Sequence, residues 1–143
     1  MNNKSTISEL SRSLITIAWY FGPKGLDGQC CGDITMPEFI ALDTILNTHN
    51  CSVHDIGIAL GFTKSGATRI VNRLVSKGYV RKEASSEDGR VCCVAITKKG
   101  ETIIKDADSR YSEKFEQLIS KMPPNQQGNV VTLLNSIAQA LRK

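Results

Sequence analysis

Two glycines in the middle of the chain divide a helical stretch into two short helices. The helical pattern of residues 52–60 breaks at Gly61, and a second helical pattern, residues 63–77, stops at Gly78. Glycine adopts the left-handed backbone that ends a helix at little steric cost, and Thr63 is a residue type that caps the start of a helix. This spacing predicts a helix, a tight turn and a second helix.

Two short β-prone runs follow the second helix directly. They are residues 79–84 and 91–96, and the polar segment 85–90 between them contains a glycine. Such a pair of runs predicts a β-hairpin next to the two helices. The order of helix, turn, helix and hairpin is that of a winged helix-turn-helix, which places one helix in the major groove of DNA and the hairpin beside it.

The second helix has two chemically different faces. One face is apolar at helical spacing, which predicts that it packs on the domain core through Ala67, Ile70, Val71 and Leu74. The opposite face carries hydrogen-bond donors, small hydroxyls and an amide, and no acidic residue occurs anywhere in the helix. A helix that merely faces solvent usually mixes both signs of charge, whereas this face approaches phosphates and base edges without repulsion. The predicted DNA-contacting residues of this helix are Lys64, Ser65, Thr68, Arg69, Asn72 and Arg73.

Three segments of the sequence resemble the MarR family of bacterial transcription regulators. They are residues 60–81, the run Asp88-Gly-Arg90 and the run Ile96-Thr-Lys-Lys-Gly100. The resemblance implies an obligate homodimer that binds a pseudo-palindromic operator in double-stranded DNA, usually as a repressor, until a small ligand or thiol chemistry releases it. It also implies that Arg90 at the wing tip enters the minor groove while Asp88 holds it in place. One departure is Gly66, where the family more often has a residue with a side chain.

The positive charge of the chain is concentrated in the predicted DNA-binding region. The net charge of +4 over 143 residues is mild, but nine lysines and arginines fall within residues 64–99 against three acidic residues. This local excess favours a polyanionic partner. The chain has no apolar stretch long enough to span a bilayer and no secretory signal at its polar N-terminus, which predicts a cytoplasmic protein that does not enter the membrane.

Amphipathic helices are predicted on both sides of the winged helix. Residues 7–21 repeat apolar side chains every three and four positions, Thr97 caps a long helix, and Pro124 suits the first turn of a last one. A winged helix of ordinary size has no room to bury three more such helices, so we expect two subunits to interlock as a homodimer, with a monomeric helical cap as the alternative. The predicted fold is mainly α (α+β), a winged helix-turn-helix with N- and C-terminal dimerisation helices. Its predicted divisions are an N-terminal dimerisation helix and loop (1–34), the DNA-binding domain (35–100) and the C-terminal dimerisation helices (101–143).

A glycine-rich loop, residues 22–33, separates the first helix from the winged part of the chain. The loop leads to Thr35-Met-Pro-Glu38, which has the spacing of a capping box. In a capping box the Thr and Glu side chains satisfy each other's backbone N–H groups, so this run predicts the start of the next helix.

The five cysteines are placed unusually, because four of them form two adjacent pairs. Cys30 and Cys31 lie in the loop, Cys92 and Cys93 lie in the second β-prone run, and Cys51 precedes the helix-turn-helix. In a cytosolic protein we expect reduced thiols and no structural disulfide. Neighbouring side chains of a strand point to opposite faces, so one member of the second pair is expected to pack in the core and the other to face outward.

Cys30 and Cys31 are the candidate effector-sensing residues. Their loop has few apolar residues to bury a thiol, and Lys24 nearby favours the thiolate. Two mechanisms remain open, which are capture of a thiophilic metal or metalloid such as Zn, Cu(I) or an arsenical, and oxidation of a thiolate. Zinc-sensing relatives combine a loop cysteine with a helix glutamate and histidines. Glu38 fits that pattern, but Phe39 stands where such a relative has histidine, which argues against a zinc site of that kind.

Other functions remain as alternatives to a thiol-responsive regulator. Relatives sense a small aromatic ligand in the cleft between the dimer helices and the DNA-binding domain. A different class is an architectural or protein-binding winged helix that reads no sequence, against which the polar helix face and Arg90 argue. An enzyme is not predicted, because the sequence has no Ser/His/Asp set, no phosphate-binding glycine loop and no convincing carboxylate pair.

Overall fold

A computed structural model of the chain describes residues 4–22, 34–84 and 91–142. Within these residues it has six helices and one antiparallel hairpin, which confirms the predicted winged helix-turn-helix fold of the mainly α (α+β) class. None of the described helices is long and apolar enough to cross a membrane. The elements are α1 (Lys4–Phe21), α2 (Met36–Asn47), α3 (Val53–Leu60), α4 (Lys64–Ser76), β1 (Val80–Ala84), β2 (Val91–Ile96), α5 (Lys98–Ser120) and α6 (Pro124–Leu141).

The turn between α3 and α4 forms where the glycine pattern places it. α3 begins with a capping box in which Ser52 Oγ accepts the N–H of Asp55 at 3.1 Å and the Asp55 carboxylate accepts the N–H of Ser52 at 2.8 Å. The backbone hydrogen bond from Ser52 lowers the pKa of Asp55. α3 ends at Gly61, whose φ of 65° is left-handed, and the N–H of Phe62 donates to the Gly57 carbonyl at 3.0 Å. These bonds make the turn tight and well defined.

α4 is fixed at both ends and along one side. Thr63 Oγ1 accepts the N–H of Gly66 at 3.2 Å, as the predicted N-cap requires, and Gly78 follows the last turn with a φ of 77°. The predicted core face is confirmed, because Ala67, Ile70, Val71 and Leu74 are all buried. α4 packs through this face against α2 and α3, so its other face must point away from the core.

The hairpin follows α4 and packs against the start of the helix-turn-helix. β1 and β2 pair antiparallel, with a break in register between Glu83 and Ala84 that no sequence pattern indicated. The N–H of Val94 donates to the Cys51 carbonyl at 2.8 Å, which ties β2 to the segment just before α3. The hairpin tip, residues 85–90, lies outside the described residues.

Thr97 joins the hairpin to α5 and to the end of α4. Its hydroxyl accepts the N–H of Gly100 at 3.1 Å, which confirms the predicted cap, and donates to the Gly78 carbonyl at 2.7 Å. Gly100 lies so close to Tyr79, just before β1, and to β2 that a Cβ there would collide with the Tyr79 carbonyl oxygen and stand 2.7 Å from Ile96 Cγ1. Glycine is therefore required at this junction for steric reasons.

Two compact units divide the chain, Met1–Ala107 and Asp108–Lys143. In the first unit α1 has no buried residue, and in the second unit α6 has none. Both helices therefore leave large apolar side chains exposed within one chain. These include Ile7, Leu10, Leu14, Ile15, Ile17 and Trp19 of α1, and Val131, Leu133, Leu134, Ile137 and Leu141 of α6. The predicted dimerisation and the predicted domain boundaries at residues 34/35 and 100/101 stay predictions.

The close packing of Gly100 makes a stability prediction. We expect Gly100→Ala to lower the free energy of unfolding by about 1–3 kcal/mol or more, because the added methyl group overpacks the junction against a backbone oxygen. Gly128→Ala is the matched control, since nothing lies within 4 Å of its Cβ position. There we expect a gain of about 0.5–1 kcal/mol from the lower backbone entropy of alanine in a helix. Urea unfolding measures both, and equal effects of the two substitutions would contradict the packing described for Gly100.

Candidate nucleic-acid interface

The outward face of α4 presents the side chains that the sequence predicted. Lys64, Ser65, Arg69, Asn72 and Arg73 are exposed, and Thr68 is half-buried. The Thr68 hydroxyl donates to the Lys64 carbonyl of its own helix at 2.8 Å, so its remaining capacity toward a ligand is as an acceptor. The structure therefore brings all six predicted α4 residues together on the side of the helix that is opposite its buried face.

Asn72 is oriented by the wing. The Nζ atom of Lys82 in β1 donates to the Asn72 side-chain oxygen at 3.2 Å. This bond uses the acceptor of the amide and leaves its NH₂ group to donate outward. The amide is therefore arranged to meet an acceptor, such as a phosphate oxygen or the base edges of guanine and thymine that carry oxygen.

A shallow cavity of about 380 Å³ lies beside the second half of α4. It is lined by Arg69, Asn72, Arg73, Ser76 and Lys77, and no carboxylate is among these residues. Among the described residues Arg69 and Arg73 have no salt-bridge partner. A concave surface lined by guanidinium groups, an amide and a hydroxyl suits an anionic ligand that accepts hydrogen bonds.

Several other cations of the basic region are paired with groups of the protein itself. Lys77 Nζ lies 2.8 Å from Glu38 Oε2, and Arg81 Nη2 lies 2.8 Å from Glu83 Oε1. Lys99 donates to the Lys77 carbonyl at 3.0 Å and lies over the Tyr79 ring at 5.2 Å. Fewer basic side chains are therefore available to a polyanion than the sequence indicated, and those that remain centre on α4.

A side chain at Gly66 would crowd the start of α4. A Cβ at this position would lie 3.3 Å from Thr63 Oγ1 and 3.4 Å from Phe62 Cβ. The first contact is tighter than ordinary van der Waals packing and the second is at its lower limit. Thr63 is also the cap that accepts the N–H of Gly66. Glycine thus allows the cap and Phe62 to approach the first turn of α4 closely.

Glu38 has a structural role that sequence reasoning found only in part. Its Oε2 atom accepts the N–H of Thr35 at 3.0 Å, which confirms the predicted capping box, and the same oxygen accepts Lys77 Nζ at 2.8 Å. The residue is 1% exposed. With this oxygen engaged twice and the residue buried, Glu38 is not arranged as a ligand for a metal ion. The pairing with Lys77 spans 39 residues, and no local sequence signal indicated it.

Cys51 is a free, buried thiol. Desolvation by burial, with a smaller effect of the Asp55 carboxylate, raises the pKa of this thiol to about 11. The thiolate is the reactive form of cysteine, so this environment suppresses both oxidation and metal binding. Cys51 is consequently a packing residue under the hairpin rather than a sensor.

The state of Cys93 differs from the expectation that all thiols are reduced. It is 7% exposed, which makes it the member of the second pair that packs inward, and it is disulfide-bonded. The expectation considered only the redox state of the cytosol, whereas a disulfide also requires a second sulfur close by, and that proximity is set by the packing of separate segments.

The remaining predicted site residues lie outside the described residues. They are Cys30 and Cys31 in the loop, as candidate sensing and metal-binding residues, and Asp88 and Arg90 at the wing tip. Within the described residues, no group of three or more His, Cys, Asp or Glu side chains is placed to hold a metal ion. His49 and His54, which flank Cys51 in sequence, therefore do not form such a group with their described neighbours.

Comparison with known proteins places the sequence near one family of regulators. The sequence profile described as "MarR family" matches residues 32–91 of this chain. The HTH-type transcriptional regulator BilQ of Clostridioides difficile (strain CD3) is 31% identical over 88 residues, which are 62% of this chain and 59% of BilQ. The matched part thus spans about three fifths of that relative's length.

Solved structures share the fold over nearly the whole chain. A MarR family protein from Bacillus stearothermophilus is 22% identical, with a TM-score of 0.85 and full coverage of both chains. FabT of Streptococcus pneumoniae, solved in complex with DNA, is 24% identical, with a TM-score of 0.74 and 97% coverage of both chains. At these identities the likeness establishes the fold.

The environment of Cys51 predicts its reactivity. At pH 8 a thiol with a pKa of about 11 is ionised to about one part in a thousand, so we expect Cys51 to resist alkylation in the reduced, folded protein. Iodoacetamide labelling followed by peptide mass spectrometry measures this, with the same reaction in urea as the control. Labelling of Cys51 at the same rate in both conditions would contradict the burial described here.

Proposed function

We propose that this chain is a member of the MarR family and that it is a sequence-specific, double-stranded DNA-binding transcriptional regulator. Members of this family are transcriptional regulators and not enzymes. We propose that it acts as a homodimer on a pseudo-palindromic operator, as a repressor that an effector releases. Such a regulator works in the cytoplasm, where the bacterial chromosome lies.

The observation that carries the proposal is the acid-free outward face of α4. Its buried apolar stripe fixes the helix, so the opposite face projects as a rigid row of donors. In this proposal Lys64 and Ser65, in the first turn, bind a phosphate, since helix N-termini favour anions. Arg69, Asn72 and Arg73 lie further along the same exposed face, and in this proposal their donors meet base edges in the major groove.

The wing completes the proposed interface. Arg90 contacts the minor groove in this proposal, and Asp88 orients its guanidinium group. Narrow minor grooves attract arginine because of their strong negative potential. The presence of DNA in the FabT complex supports this use of the fold, since the two chains share it over nearly their whole length.

The proposed homodimer covers the apolar surfaces of α1 and α6. Both helices expose rows of large apolar residues that their own chain leaves unburied, including Trp19 at 54% and Leu133 at 62% exposure. Contiguous apolar surface of this kind marks an interaction site. A second copy of the chain is the partner that also supplies the two-fold symmetry needed for a pseudo-palindromic operator.

The proposed effector acts on thiols. Adjacent Cα atoms are about 3.8 Å apart, which is shorter than the separation an ordinary disulfide requires, so Cys92 is a poor partner for Cys93. We propose that Cys30 or Cys31 forms the bond with Cys93. A peroxide oxidises one thiol to a sulfenic acid and releases one water, and the second thiol then displaces a second water as the S–S bond forms.

Arg69→Ala tests sequence reading. We expect a loss of about 1–3 kcal/mol in operator binding and a relaxed preference at one base pair, because a bidentate contact between arginine and guanine carries that discrimination. Fluorescence anisotropy with the operator and its single-base variants at fixed salt measures it. Lys105→Ala, which removes one exposed positive charge from α5, is the matched control and should change affinity less than twofold. A uniform loss on every sequence would make Arg69 a phosphate contact only.

Reversible oxidation tests the effector. We expect peroxide to weaken operator binding at least about tenfold in the wild type and dithiothreitol to restore it, because the disulfide ties the loop to the wing. The Cys30→Ser/Cys31→Ser double variant and Cys93→Ser should keep full affinity after oxidation. Cys51→Ala should respond like the wild type, since Cys51 takes no part in the bond.

The other effector classes are decided in the same assay. Release of the reduced wild type by Zn, Cu(I) or arsenite, but not of the double serine variant, would replace oxidation by metal capture at Cys30 and Cys31. Release of both proteins by benzoate would instead assign the effector to the class of small aromatic acids. Equal binding of the wild type to every duplex would contradict a regulator and support an architectural winged helix.

A further inference from the structure

A buried ion pair joins the start of α2 to the end of α4. Lys77 Nζ lies 2.8 Å from Glu38 Oε2, and the same oxygen accepts the Thr35 N–H at 3.0 Å. Glu38 is 1% exposed, and the Lys77 side chain is 26% exposed. A carboxylate at this depth is strongly unfavourable unless it is both paired and hydrogen-bonded, and here it is both. Removing either partner alone therefore strongly destabilises this contact between α2 and α4.

The same turn of α4 is held from a second direction. Lys99 Nζ donates to the Lys77 carbonyl at 3.0 Å, and the Thr97 hydroxyl donates to the Gly78 carbonyl at 2.7 Å. An ammonium group next to the last carbonyls of a helix is favourable because of the helix dipole. The C-terminal turn of α4 is thus fixed to α2 on one side and to the first turn of α5 on the other.

The position of this turn controls the donor face. Arg73 lies one helical turn before Lys77, and both residues line the same cavity as Asn72. Hydrogen bonds to base edges weaken steeply when distance or angle departs from the optimum. A change in the angle of α4 would move Asn72 and Arg73 together, so the ion pair sets the geometry of the residues proposed to read bases.

We propose that Glu38 is a positioning residue for sequence reading, which acts through Lys77 and sets the angle at which α4 meets the major groove. Lys77 itself then makes no phosphate contact. This inference rests on the proposed DNA-binding function. Thr35, which donates to the same carboxylate, follows Cys31 by only four residues in the sequence.

The test compares Glu38→Gln, Lys77→Met and the double variant. The probes are the operator, obtained by selection from a random duplex library with the wild type, and a random duplex of equal length. We expect each variant to bind the operator about tenfold more weakly and the random duplex within about twofold of the wild type. The slope of log affinity against log salt should stay unchanged, because no phosphate contact is lost. The double variant should be no weaker than either single variant, because both remove the same interaction.

A direct phosphate contact by Lys77 would give a different result in the same experiment. If Lys77 contacts a phosphate, Lys77→Met weakens binding to both duplexes and reduces the salt slope by about one unit, while Glu38→Gln strengthens both by removing a negative charge. That result would overturn the proposal. Glu83→Gln is the matched control, because it removes a carboxylate from the exposed pair with Arg81, and it should change neither affinity more than about twofold.

Two further results complete the design. If the single variants fold poorly, the double variant carries the test, since it leaves no buried charge without a partner. Unchanged operator binding in a folded double variant would overturn the positioning role. Failure of the proposed function itself looks different, because the wild type would then bind the operator and the random duplex equally.

Discussion

The burial of one side of α4 is the constraint on which the rest of the structure depends. Ala67, Val71 and Leu74 are completely buried, and Ile70 nearly so, against α2 and α3. Full burial of a valine, leucine or isoleucine side chain stabilises a protein by about 1.5–3 kcal/mol, whereas an exposed ion pair contributes at most about 1 kcal/mol. The apolar stripe therefore decides which way the helix faces, and the polar side chains take the face that remains.

Charge has a second role once the helix is fixed. The basic residues form one cluster in the sequence, but in the fold some of them contact other groups of the protein and others do not. Lys77 and Lys99 secure the end of α4, and Lys82 orients Asn72. Arg69 and Arg73 have no ion-pair partner among the described residues and remain for an external anion. A lysine with a long flexible chain suits the structural contacts, while the rigid guanidinium fork of arginine suits recognition of bases and phosphates.

Local signals in the sequence were sufficient for the elements and for the face of α4. The left-handed positions at Gly61 and Gly78, the caps at Thr35, Thr63 and Thr97, and the buried stripe of α4 all follow from interactions within a few residues. The same reasoning failed for contacts between residues far apart in sequence. The pairing of Glu38 with Lys77 and the disulfide at Cys93 depend on the packing of separate elements, and a pattern in one segment carries no information about that packing.

The two contacts that the sequence missed involve α2 and β2, two elements that pack against each other. Glu38 connects the start of α2 to the end of α4, and Cys93 lies in β2, where the neighbouring Val94 is bonded to the segment before α3. Helices packed in this way move as rigid bodies, because a close-packed interior transmits small shifts instead of absorbing them. In the proposed mechanism, a chemical change at a thiol therefore does not need to reach α4 directly. It would need only to favour one arrangement of α2 and the hairpin over another, and the angle of α4 would follow from the contacts that already hold its last turn.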